Sequence, residues 1–247
     1  MGQEIDRTGD SAFIDGVANY GAGSGGLTEV LNDYFNAFHA LSANPASAAE
    51  KESLLQKSEI LVQKLHVTAE HFDDLKADLT LEAETNLSEA NRIIEEIARL
   101  NVEIARTEGN NAGSALILRD KRQSKLEVLS KFTQINVSVI PDSGGQIAVS
   151  IPTVSGSVNL LERGVFDRIN FDDSVPELPQ FTLEKAGVQA LIDGGSIHGL
   201  MTARDGAIQE YRNSLDLIAF ELVDQVNGLY NSGAAMGNTN FFADTGD

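Results

Sequence analysis

Apolar side chains recur at Leu61, Leu65, Phe72, Leu75 and Leu79, then at Ala90, Ile94, Ile97, Leu100 and Ile104, the three-four spacing that lines one stripe of a helix. No Gly or Pro interrupts the 63 residues from Ala46 to Glu108. The pattern therefore predicts one helix about 90 Å long, at about 1.5 Å per residue. Ser47 with Glu50 forms a capping box at its start, and Gly109 followed by Asn110 supplies a left-handed stop. Such a stripe requires partner helices. One is predicted from Leu27 to Ala43, where Val30, Leu31, Tyr34, Phe35, Phe38 and Leu41 hold helical spacing and Asn44-Pro45 breaks it. A third helix, 114–132, carries Leu116, Leu118, Leu126, Leu129 and Phe132. A fourth runs from His198 to Asn231 on Leu200, Ala203, Ala207, Tyr211, Leu215, Ile218, Leu222, Val226 and Leu229.

Between the third and fourth helices the period changes to 2. Ile135 to Val139 and Ile147 to Ile151 flank Pro141-Asp142-Ser143-Gly144-Gly145 and predict a hairpin. Further short strands are expected at Val158–Leu161, Phe166–Phe171, Phe181–Leu183 and Val188–Ile192. The fold class is therefore α+β, predominantly α: an elongated antiparallel helical bundle with one very long helix, plus a small β-rich subdomain. The predicted organisation is a flexible, Gly-rich lead-in at 1–26, a bundle from 27–132 and 196–232, the β-rich part at 133–195, and a loop-like tail at 233–247 that Phe241-Phe242 pins.

Composition narrows the function. A net charge of −19 argues against nucleic acid and anionic membrane as partners, because both reward clusters of Lys and Arg. The absence of Cys removes disulfides, thiolate metal sites and a cysteine nucleophile. No apolar run approaches the roughly 18 residues of a membrane span, and the first residues lack the basic and hydrophobic regions of a cleaved signal. The four histidines, His39, His66, His71 and His198, include no pair three or four apart, and there is no His-Glu-x-x-His. Neither a Gly-x-Ser-x-Gly elbow nor a phosphate loop occurs. Asp73-Asp74 and Glu95-Glu96 are adjacent on a helix and diverge by about 100°, so each reads as a solvated acidic face. Asp172-Asp173 lies in a loop without a regular set of oxygen ligands. No catalytic, cofactor-binding or metal-binding residue is assigned, and the chain is read as non-enzymatic.

Several segments, in order, resemble the flagellar hook-associated protein 1 family. Gly25-Gly26-Leu27 leads into Leu31-Asn32-Asp33-Tyr34-Phe35-Asn36-Ala37-Phe38 and on to Leu41 and Asn44-Pro45, similar to the family's Leu-x-x-Phe-Phe-x-Ala-x-x-x-Leu-x-x-Asn-Pro, with Tyr34 a departure. Ile97-Ala98-Arg99-Leu100-Asn101 with Ile104, and Leu118-Arg119-Asp120-Lys121-Arg122, resemble its Ile-Ala-x-Leu-Asn-x-x-Ile and Leu-x-Asp-x-Arg elements. Gly194 to Asp205, with Gly199-Leu200 and Arg204-Asp205, and Val226-Asn227 complete the series. The resemblance implies the middle fragment of a structural axial protein of the bacterial flagellum that forms the hook-filament junction by self-assembly. The family's two terminal helices and its outer domain lie outside it. It further implies self-association in a ring, neighbouring hook and hook-associated proteins as partners, an export chaperone engaged through the terminal region, and an extracellular location reached without a cleaved signal. Polar faces of the long helix, with Glu95, Arg99, Glu103 and Arg106, are the expected subunit contacts. The rival readings are a flagellin or other axial hook protein, and an adhesin-like binding module on a helical stalk.

Overall fold

A computed structural model describes residues 26–109, 111, 113–174, 180–233 and 240–242. The predicted lead-in, up to residue 25, and most of the predicted tail lie outside the described residues. The order of elements is α1 (Leu27–Ala43), α2 (Ala48–Glu108), α3 (Leu116–Phe132), strands β1 (Asn136–Val139), β2 (Ile147–Thr153), β3 (Gly156–Glu162), β4 (Val165–Phe166), β5 (Ile169–Asp172), β6 (Gln180–Leu183) and β7 (Gln189–Ala190), then α4 (Gly195–Thr202), a π-helical segment (Ala203–Ile208) and α5 (Gln209–Gly233). The protein is α+β and mainly α.

The 61 residues of α2 form one uninterrupted helix. Ser47 Oγ accepts from the Glu50 amide at 3.3 Å, which satisfies one of the free donors at the start of the helix. The hydroxyls of Ser58, Thr68, Thr80, Thr85 and Thr107 each donate to the carbonyl four residues earlier, so residues that are poor in helices stay inside this one. The other end differs from the expectation. Gly109 does not adopt a left-handed conformation, and Asn110 lies outside the described residues. A side chain helps to close the turn instead: the Glu108 carboxylate accepts from the Ala115 amide at 3.3 Å and from Arg119 Nε and Nη2 at 2.8 and 2.6 Å.

The described chain divides into two compact units. In the unit formed by 74–211, the sheet is antiparallel throughout, in the order β4-β3-β2-β7-β6-β5, with β1 also paired to β2. Its core joins Leu87, Ala90, Ile93, Ile94 and Ile97 of α2 to Leu126 and Leu129 of α3, Val149 and Ile151 of β2, Leu160 and Leu161 of β3, and Ile197 and Met201 of α4. At about 1.5–3 kcal/mol per buried aliphatic side chain, this layer is the main source of the unit's stability. The single strand expected over Phe166–Phe171 is two, β4 and β5, with a corner at Asp167. Asp167 is buried, and its carboxylate accepts from the amides of Arg168, Lys185 and Ala186 at 2.8–2.9 Å. It thereby replaces ladder partners where the chain turns.

In the unit formed by 26–73 and 212–242, Tyr34 and Ala37 of α1 meet Leu54 and Leu61 of α2 and Leu222 and Val226 of α5, with Phe241 and Phe242 packed against them. Asn227 holds this Phe pair: its Nδ2 donates to the Phe242 carbonyl at 3.2 Å, and its Oδ1 accepts from the Phe242 amide at 2.9 Å. Tyr34 is fully buried, and its hydroxyl has no hydrogen-bond partner among the described residues. Burial pushes the phenol up to about 12. Removing an unsatisfied buried hydroxyl while keeping the ring relieves a penalty of about 1–3 kcal/mol. Tyr34→Phe is therefore expected to raise the melting temperature by about 2 °C or more in a thermal scan; a fall would show that the hydroxyl is bonded in solution.

The last predicted helix is interrupted by the π-helical segment, which the apolar stripe gives no sign of. Arg204, within it, is 1% exposed and reaches both oxygens of Asp173 through Nη2 at 2.6 Å. The wider π turn accompanies this inward side chain. His198 is satisfied by the fold, its Nδ1 donating to the Ile192 carbonyl at 2.8 Å.

Candidate assembly surface on the long helix

Residues Arg92, Glu95, Glu96, Arg99, Glu103 and Arg106 follow at intervals of one, three or four, so they share one face of α2. The opposite face carries the buried Ile93, Ile94, Ile97 and Ile104. Arg92 pairs with both Glu89 and Glu96, Arg99 with Glu95, and Lys125 of α3 reaches Glu96 at 2.7 Å. Arg168 approaches the other oxygen of Glu95 at 3.5 Å. The Arg92 hydrogen bond lowers the Glu89 pKa, and the partnership raises that of Arg92. Exposed pairs of this kind contribute little to folding, and their geometry fixes where charge is displayed.

Of the four predicted contact residues, Glu95 and Arg99 are brought together as a pair, and Arg99 is largely exposed. Glu103 and Arg106 are exposed on the same face, and neither makes an ion pair among the described residues. Two grooves flank the pair. One, about 340 Å³, lies between α2 and α3 and is lined by Glu96, Arg99, Leu100, Lys121, Ser124 and Lys125. The other, about 500 Å³, lies between α2 and the sheet, with Asn91, Arg92, Glu95, Arg168 and Glu184 among its lining residues.

This face is held in place by half-buried and buried polar contacts that sequence reasoning did not assign. Asn91 Nδ2 donates to the Ile169 carbonyl at 2.8 Å and its Oδ1 accepts from the Ile169 amide at 2.9 Å. Asn101, fully buried, does the same for Ile147 at 2.8 and 3.3 Å. A primary amide offers a donor and an acceptor side by side, so each asparagine stands in for a strand neighbour and pins a strand's first residue to α2. Arg122 completes the second clamp, with Nη1 donating to Asn101 Oδ1 at 2.6 Å and to the Gly145 carbonyl at 2.9 Å. Its burial lowers the Arg122 pKa. Nearby, the ion pair with Arg119 holds the Glu108 carboxyl down at about 2, aided by backbone amides. The available signal was a polar residue inside an apolar stripe: Asn101 sits between Ile97 and Ile104 at helical spacing.

No group of three residues able to hold a metal ion occurs among the described residues, and Asp173 is engaged by Arg204. No described helix is long and apolar enough to cross a membrane. Buried side chains that bond to backbone, beneath a charged and ion-paired helix face, define a structural module whose polar chemistry serves packing.

The family description for the flagellar hook-associated protein FlgK helical domain matches residues 14–242, and the chain belongs to that family. It is 26% identical over 219 residues to flagellar hook-associated protein 1 of Salmonella typhimurium, covering 85% of this chain and 39% of that protein. With the Bacillus subtilis protein of the same name it shares 24% identity over 249 residues, covering 89% of this chain and 48% of the relative. The chain thus spans less than half the length of these curated relatives. The solved flagellar hook junction protein FlgK from Burkholderia pseudomallei has the same fold, with a TM-score of 0.70 at 19% identity over 87% of this chain and 40% of that one.

Proposed function

We propose that this chain is part of a structural axial protein of the bacterial flagellum and that it helps to build the junction between hook and filament by self-association. The observation that carries the reading is the family match over nearly the whole chain. Two relatives' names, hook-associated protein and hook junction protein, agree with it. The role is mechanical, and no reaction is assigned. In this reading the helices at 27–132 and 196–232 pack as rods, the part at 133–195 forms a β-rich subdomain, and the polar face of α2 with Glu95, Arg99, Glu103 and Arg106 meets neighbouring subunits. Partners are further copies in a ring, adjoining hook and hook-associated proteins, and an export chaperone. The protein works outside the cell.

The test is electron microscopy of cells lacking the gene, with an assay for flagellin in the medium. Completed hooks without filaments, and flagellin shed outside, are expected. Normal filaments would overturn the junction role.

A further inference from the structure

The groove between α2 and α3 has a distinctive rim. Arg99, Lys121 and Lys125 stand against one carboxylate, Glu96, around the half-buried Leu100. Lys125 is matched by Glu96 and Arg99 by Glu95, whereas exposed Lys121 makes no ion pair among the described residues. The stems of Lys121 and Lys125 add apolar wall to the Leu100 floor. The site favours an apolar knob that carries carboxylates beside it.

Helix α5 presents such a knob. Leu215, Leu222 and Val226 face the core. On the opposite face Leu217, Phe220, Glu221 and Asp224 follow at i, i+3, i+4 and i+7. Leu217 and Phe220 are 60% and 66% exposed, unusual for large apolar side chains on a face otherwise turned to water. No Lys or Arg occurs between Asn213 and Gly233. Glu221 and Asp224 make no ion pair among the described residues.

We infer that the α5 face of one copy, with Phe220 leading and Glu221 and Asp224 beside it, docks into the Arg99–Lys121–Lys125 groove of a second copy. The inference rests on the self-association proposed above and adds the surfaces that meet. Charge complementarity selects this occupant. In a chain of net charge −19 most contacts between copies repel, so a cation-rimmed groove with an apolar floor is a favourable place for a second copy's acidic, aromatic face. Groove and knob are different patches, so the contact is heterologous and repeats from copy to copy, as a ring or tube requires.

The chain has no Cys, so introduced thiols report contact without background. The 247-residue chain is prepared as two variants, Ser124→Cys in the groove and Gln225→Cys at the edge of the face; both positions are exposed. They are mixed and oxidised, while sedimentation velocity of the unsubstituted chain at the same concentration reads association separately. The expected result is a mixed disulfide dimer in roughly tenfold or greater excess over either homodimer, lost when Lys121→Glu and Lys125→Glu are added to the groove variant. Association in the centrifuge without that excess would overturn this contact and leave self-association standing. No association by either method would overturn this contact, and the microscopy of cells lacking the gene then decides the junction role.

Discussion

Gly195→Ala is expected to destabilise the protein by about 2–6 kcal/mol, from a left-handed backbone penalty of about 1–3 and overpacking of about 1–3. Gly195 has φ 79°, where a side chain is strained in any surroundings. A Cβ there would lie 2.5 Å from the Phe132 carbonyl oxygen and 2.6 Å from the Thr133 nitrogen. Those atoms are backbone at the end of α3 and cannot rotate away. The close approach is what seats the start of α4 against α3, so relief of the clash would separate the two helices. Urea unfolding measures the loss, with Gly228→Ala as the control. Gly228 lies inside α5, and a Cβ there meets nothing within 4 Å. That control should gain up to about 1 kcal/mol of helix propensity. Equal behaviour of the two variants would mean that the approach to Phe132 is not kept in solution.

Asn101→Ala should cost a similar amount, about 3–5 kcal/mol, because it leaves two buried backbone groups and one guanidinium N–H without this partner, at about 1–3 kcal/mol each before relaxation offsets part of the loss. The alanine removes both hydrogen bonds to Ile147 and the 2.6 Å acceptor of Arg122. The guanidinium, 6% exposed, would keep only the Gly145 carbonyl. Amide hydrogen exchange at Ile147 gives the local readout, and the unfolding midpoint gives the global one. A loss below about 1 kcal/mol would show that water fills the vacated position.

The helices were legible because their stripes are long and follow a period near 3.6. The hairpin from Ile135 to Ile151 was legible because the alternation changes sharply to 2. Gly109 misled because a glycine after a helix suggests a left-handed stop, whereas Glu108 itself closes this turn with Arg119 and Ala115. The corner at Asp167 and the π turn at Arg204 were hidden for a related reason. Each depends on where a buried side chain finds its partners, Lys185 and Ala186 in one case and Asp173 in the other, and no local spacing encodes that. The face shared by Glu95 and Arg99 could be read from a spacing of four. The clamps could not, although Asn101, Arg122 and Asn227 all stood in the segments that carried the family resemblance. There they were letters in a pattern; the structure shows that each pins backbone from a distant part of the chain.

The division into two units also has a consequence for the order in which the chain can be completed. Residues 74–211 are contiguous, so that core and its Asn91 and Asn101 clamps can close as soon as this stretch is available. The other unit is interrupted by it. Tyr34, Leu54 and Leu61 are covered by Leu222, Val226, Phe241 and Phe242, which come late in the chain. Loop-closure entropy grows only slowly with length, so the finished unit loses little by the separation. The waiting time is another matter: the apolar surface made before residue 74 is covered only after residue 211 has been made.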